Sequence, residues 1–228
     1  MQTGQHAYAL DDLDSGLNYL LFLPQQYPGD PDANWPLLVF LHGVAKRGDT
    51  REALENIKLD GPPNIVEDRS DFPFIVLSPQ CPMETYWYPV FDRLEALIES
   101  ITTTYSVDEH RIYLTGLSMG GFGTWRLALE HPDRFAAIVP IAGGYIFESD
   151  EVPEEICVLK NLPIWVFHGE KDEAVPSWQS QILVDALRQC PANVRFTHYP
   201  DANHADAWKQ AYADPELYTW LLEQRLEE

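Results

Sequence analysis

RIYLTGLSMGGFGTWRLALE, residues 111–130, decides the fold. Arg111 to Thr115 form a short apolar run of the kind that makes a buried strand, and Trp125 to Leu129 carry helical spacing. Between them lies Gly116-Leu117-Ser118-Met119-Gly120, a G-x-S-x-G pentapeptide. A strand that turns at once into a helix brings neighbouring chains close, and glycines two residues either side of the serine let them approach without a Cβ clash. The serine is held in a strained conformation with its hydroxyl above the sheet edge. The helix starting there also offers free backbone N–H groups and the positive end of its dipole. Ser118 is therefore the candidate nucleophile, and Met119 N–H the natural first donor to an oxyanion.

Further apolar runs flank this unit: 17–23 (LNYLLFL), 37–41 (LLVFL), 74–77 (FIVL), 135–141 (FAAIVPI), 164–167 (IWVF) and 194–198 (VRFTH). Helical periods fall between several of them, at Phe91, Leu94, Leu97, Ile98 and Ile101, and again at 182–187. Asp214 and Pro215 open a closing helix through Leu217, Trp220, Leu221 and Leu226. Strands alternating with helices imply an α/β fold with a mainly parallel central sheet and helices on both faces. No repeat or linker interrupts residues 1–228, so one domain is expected.

A serine at neutral pH needs a base, and the base needs an acid to orient it. Downstream of Ser118 the chain supplies them in the order acid, then histidine. IWVF is followed by a polar loop, His168-Gly-Glu-Lys-Asp172-Glu173-Ala-Val-Pro, at a strand's carboxyl end, where the ligand sites of such sheets form. Asp172 is the candidate acid, with Glu170 and Glu173 as neighbours that could substitute. VRFTHYP is followed by Asp201-Ala-Asn-His204, and His204 is the candidate base. His131 sits at a helix end, His110 before a strand, His198 within one, and His6 in a tail expected to fray. His42 and His168 each follow a strand and precede glycine, which suits a structural hydrogen bond beside the site. The loop after 37–41, His42-Gly43-Val44-Ala45, is placed to give the second oxyanion donor, Val44 N–H.

Fifteen Lys and Arg against thirty-six Asp and Glu give a net charge of −21, which repels nucleic acid and anionic lipid alike. Neither is expected as a partner. Cys81, Cys157 and Cys190 contain no close pair, so neither a metal site nor a disulfide is expected, and reduced buried thiols are the default. Residues 1–12 lack the basic start and apolar run of a signal peptide, and no stretch reaches membrane-span length. A cytoplasmic protein, monomer or homodimer, is the expectation.

WPLLVFLHG, FPFIVLSPQCP, RIYLTGLSMGGFGTWRLALEHPDRFAAIVPIAGG, LPIWVFHGEKDEAVP and YPDANHADAW together resemble the small single-domain α/β-hydrolases described as carboxylesterases, dienelactone-hydrolase-like proteins and peptidases, related to feruloyl esterases and polyhydroxybutyrate depolymerases. The resemblance implies an α/β-hydrolase fold and a serine carboxylesterase acting on small or polymeric esters without a cofactor. It also implies Ser118, Asp172 and His204 as a triad, His42-Gly43-Val44 as the oxyanion loop, and Gln80 as lining the site. The group often continues HG with a glycine and an acidic residue, whereas Ala45 and Lys46 stand here. A serine in the elbow also departs from dienelactone hydrolases that carry cysteine there. Amide or thioester cleavage on the same triad, or a binding protein of the same fold, are the alternatives. Larger relatives carry a helical cap after the strand ending near Gly143-Gly144, but here little chain precedes the next strand, so a small or missing cap is expected. Tyr86, Trp87, Tyr88, Tyr145, Phe147, Trp178 and Trp208 fall in segments placed to line the resulting open cleft.

Overall fold

The structure, a computed structural model, describes residues 2–10, 16–30 and 33–227. Its strands are β1 (Gly4–Tyr8), β2 (Tyr19–Leu23), β3 (Trp35–Leu41), β4 (Ile75–Pro79), β5 (Val107–Leu117), β6 (Ala137–Ile141), β7 (Ile164–Gly169) and β8 (Val194–Tyr199). Its α-helices are α1 (Arg51–Leu54), α2 (Gly61–Asp68), α3 (Phe91–Thr104), α4 (Met119–Glu130), α5 (Trp178–Gln189), α6 (His204–Ala213) and α7 (Pro215–Glu223). The strands form one sheet in the order β1-β2-β4-β3-β5-β6-β7-β8. Pairing is parallel from β4 to β8 and antiparallel where β2 meets β1 and β4. This is the α/β-hydrolase arrangement expected from the sequence.

Central strands such as β3 read as unbroken apolar runs because both faces are covered. Leu37, Val39 and Leu41 point into one core with Ile98 of α3, Leu127 of α4 and Leu183 of α5. Leu38 and Phe40 point into the other with Val66 of α2, Tyr212 of α6 and Leu217 of α7. Every parallel strand thus delivers its carboxyl end to the same edge of the sheet, and the loops leaving β3, β5, β7 and β8 gather there.

Three features differ from the sequence reading. Gly4–Tyr8 is a strand paired along β2, and His6 lies opposite Leu21 within it rather than in a fraying tail. All five of its residues are only half-buried, so this edge strand carries no apolar run to betray it. α1 and α2 were not foreseen; Pro62 and Pro63 look like breakers in the sequence but occupy the first turn of α2, where a missing N–H costs nothing. Cys157 and Cys190 are joined in a disulfide, not reduced, because the 3₁₀ turn Ile156–Asn161 lies against the end of α5. A separation of 33 residues carries no sequence signal for such a pairing. Cys81 is free and buried.

That 3₁₀ turn is the one helical element between β6 and β7, so no helical cap covers the sheet edge there. Among the described residues no helix is long and apolar enough to cross a membrane.

Candidate active site

Ser118 links β5 to α4 with φ 55° and ψ −121°, a left-handed conformation that a side chain rarely adopts. The flanking glycines are sterically required. A Cβ on Gly116 would run into the Gly120 carbonyl, and one on Gly120 into the Leu41 carbonyl of β3. Ser118 N donates to Ile141 O at 2.9 Å and Phe122 N to Ser118 O at 3.1 Å, fixing the turn from both sides.

The Ser118 hydroxyl lies 2.9 Å from His204 Nε2, and His204 Nδ1 lies 2.6 Å from Asp172 Oδ2. A carboxylate only accepts, so Nδ1 carries the proton and Nε2 is left to accept from the serine. Backbone bonds hold the two contributing loops in register: Glu170 N donates to Tyr199 O at 2.9 Å, and Lys171 N to Ala202 O at 3.0 Å. Gly169 lets the second of these loops pass, since a Cβ there would meet the Ala202 carbonyl. The two neighbouring acids stand elsewhere: Glu170 pairs with His198 at 2.9 Å, and Glu173 is exposed.

Asp172 is buried, and its other oxygen accepts from Ala174 N at 3.0 Å and Val175 N at 2.8 Å. Burial pushes its pKa up. Bonds from His168, His204 and Val175 outweigh that and hold the carboxyl well below the usual range. His168 has a larger part than a bordering residue. Its Nε2 lies 2.9 Å from Val175 O and 3.2 Å from Asp172 Oδ2, so the ring clamps both the acid and its loop. Its Nδ1 lies 2.7 Å from Ser180 Oγ, which donates to Gly143 O at 2.8 Å. Sequence spacing placed His168 beside the site but gave no hint of Ser180, which α5 brings in.

On the opposite side, Gly43 approaches the elbow so closely that its Cβ would lie 3.6 Å from that of Ser118. Val44 begins a 3₁₀ turn, Val44–Lys46, and Met119 begins α4, so neither backbone N–H has an acceptor in its own helix. Both residues line the cavity at Ser118. The loop through Ala45 and Lys46 is this 3₁₀ turn, anchored by Lys46 to Asp60 at 3.2 Å and by Arg47 to Thr85 O at 2.9 Å. His42 holds it from below. Cys81 N donates to His42 Nε2 at 3.0 Å, so Nδ1 carries the proton and donates to Gly43 O at 2.7 Å. Burial, and to a smaller extent Lys46 and Arg47 nearby, lower the His42 pKa to about 4 against the opposing bond to Gly43. The ring is neutral at pH 7, as this pattern of one donated and one accepted bond requires.

A cavity of about 440 Å³ opens beside Ser118. Trp87 lines it while donating its Nε1 proton to His42 O at 3.0 Å, and Tyr86, Tyr88, Tyr145 and Phe147 line it as expected. Phe122 and Arg126, on the α4 face one and two turns beyond Ser118, complete the wall and were not foreseen. Three expected lining residues stand elsewhere. Gln80 is buried behind the oxyanion-side loop, where its Oε1 accepts from Asn18 at 3.4 Å. Trp178 points out at the start of α5, 41% exposed. Trp208 is not among the lining residues and packs edge-on to the His204 ring, centroids 4.9 Å apart.

Proteins of known structure share this fold. A thermostable esterase of known structure is 33% identical with a TM-score of 0.76, over 97% of this chain and 63% of that one. A poly(3-hydroxyoctanoate) depolymerase from Pseudomonas fluorescens is 26% identical over 77% of this chain and 70% of the relative. A carboxymethylenebutenolidase-like protein of Escherichia coli (strain K12) is 33% identical over 43% of this chain, and the match spans only 37% of that relative. The model of the dienelactone hydrolase family matches residues 83–216, more than half of the sequence, and the chain belongs to that family.

Proposed function

We propose that the protein is a serine hydrolase that cleaves carboxylic esters through an acyl-enzyme on Ser118. The observation that carries this reading is the unbroken line of hydrogen bonds from the Ser118 hydroxyl to His204 and on to Asp172, at 2.9 and 2.6 Å. His204 Nε2 takes the hydroxyl proton as Ser118 Oγ attacks the ester carbonyl. The oxygen gains the negative charge and is stabilised by Val44 and Met119 N–H. Collapse of the tetrahedral intermediate breaks the C–O bond to the alcohol, which leaves with the proton from His204. Water then attacks the acyl-enzyme, again with His204 as base, and frees the acid. Asp172 stays ionised throughout, fixing the imidazole tautomer and stabilising its positive charge. No step calls on a metal or an organic cofactor.

The named relatives act in keeping with this chemistry, one being an esterase and one a polyester depolymerase by description. With no helical cap between β6 and β7, the cavity opens to solvent and admits small esters or the end of a polymer. The test is hydrolysis of 4-nitrophenyl esters from acetate to decanoate, of methyl ferulate and of a 4-nitroanilide, run beside Ser118→Ala. Ester turnover that vanishes in the variant is expected. Turnover that survives there, or confined to the anilide, sinks the esterase reading.

A further inference from the structure

We infer that the cavity takes esters whose acyl group ends in a carboxylate, with Arg126 as the residue that recognises it; this rests on the esterase reading of the same site. Ser118, Phe122 and Arg126 stand four residues apart along α4 and all line one cavity. Apart from Arg126 the acyl-side wall is aromatic and aliphatic, and no Asp or Glu is among its lining residues. The chain carries thirty-six acids for fifteen bases, yet among the described residues none of those acids forms an ion pair with Arg126. A cation so placed in a surplus of carboxylates is the feature to be explained.

Its side chain is held, not loose. Arg126 Nε donates to Tyr145 O at 3.0 Å, and the guanidinium carbon lies 4.7 Å from the Tyr88 ring centre and 5.0 Å from that of Tyr145. The hydrogen bond occupies Nε, and among the described residues neither Nη group donates to a protein acceptor, which leaves both for a ligand. Two Nη donors match the two oxygens of a carboxylate, and the rings hold the fork in place before binding. Eight residues of helix separate the Cα atoms of Ser118 and Arg126 by about 12 Å, and helical side chains lean toward the N-terminus, that is, toward Ser118. The gap fits the acyl chain of a medium-length dicarboxylic acid, its ester carbonyl at Ser118, its methylenes against Phe122 and Phe147, and its free carboxylate at Arg126.

The experiment compares methyl hydrogen suberate with methyl octanoate, esters of equal chain length, as the ratio of kcat/KM within each protein. A ratio cancels differences in the fraction of folded enzyme. In the native protein it should exceed about ten, the scale of one charge-assisted hydrogen-bond pair. It should fall toward one in Arg126→Gln, recover in part in Arg126→Lys, and shrink as sodium chloride is raised. A native ratio near or below one, or a ratio unchanged in Arg126→Gln, overturns the inference. Calorimetric binding of methyl hydrogen suberate to Ser118→Ala reads the same site without turnover. Binding that is lost in the Ser118→Ala, Arg126→Gln double variant supports the carboxylate subsite even if no ester is hydrolysed; absence of binding overturns it even if neutral esters are cleaved.

Discussion

The carboxylate of Asp172 and the ring of Phe147 belong to two parts of the site and stand on opposite terms with solvent. The Asp172 side chain is 0% exposed and tied by four different residues, whereas Phe147 is 55% exposed and meets Phe122 at a ring distance of 6.1 Å. One wall is made of directional bonds between loops at strand ends, where a small displacement misaligns a proton. The other is made of apolar surface, where a small displacement changes fit and little else. Reaction chemistry should therefore be brittle on the first wall, and acyl preference adjustable on the second.

The largest expected effect sharpens that contrast. Ser118→Ala or His204→Ala should lower kcat by roughly a million-fold and Asp172→Asn by about ten-thousand-fold, measured on 4-nitrophenyl butyrate by analogy with other serine triads. A loss of only tenfold in any of these would break it. Next comes pH. The His42 pKa of about 4 lies below the ordinary value near 6.5, so between those values the unfolded chain binds more protons than the native one. Stability is then full above pH 6.5 and falls as pH drops toward 4, by at most about 3 kcal/mol. Asp172, whose native pKa is also depressed, adds a further loss of the same sign below the carboxylate range. Urea midpoints at pH 7.5, 5.5 and 4.5 should decline in the native protein and lie flatter over that window in His42→Asn.

Replacing His168 by Ala should cost about a hundred-fold in kcat, since Asp172 loses one of its anchors and the imidazole loses its alignment. KM should hardly move, and a change confined to thermal stability would show His168 to be core packing alone. The smallest effect belongs to the apolar wall. Phe147→Ala should raise KM for octanoate esters roughly tenfold with kcat nearly kept, because one exposed ring contributes little beyond buried area. A collapse of kcat in that variant would erase the distinction between the walls.

The same contrast explains what could be read from the residues alone. Gly116, Ser118 and Gly120 are dictated by a local steric demand, so five consecutive letters reveal them. Asp172 and His204 follow strands whose loops must emerge at one sheet edge, so their order along the chain points to them, although order alone leaves Glu170 and Glu173 beside Asp172 as candidates. His168 was visible only as a histidine near the edge, because its partner Ser180 arrives on α5 through tertiary packing. Arg126 hides in an ordinary helical sequence, where charge is normally a solvated face. Gln80 is expected in the wall from the family resemblance, and Trp178 and Trp208 from segments placed to line it, but side-chain direction is set by strand and helix phase, which neither reveals. β1 is too evenly half-buried to show a strand's alternation, and the pairing of Cys157 with Cys190 depends on packing between distant elements.

That disulfide ties heat tolerance to redox surroundings. Closing a chain segment of 33 residues removes freedom from the unfolded ensemble worth roughly 3–4 kcal/mol. In a chain of this size such a difference moves the midpoint of melting by on the order of 10 °C. Thiol buffers of the cytosolic kind open exposed bonds, while oxidising surroundings keep them closed. A single polypeptide thus has two melting curves, and the one it follows is set by the thiol chemistry around it.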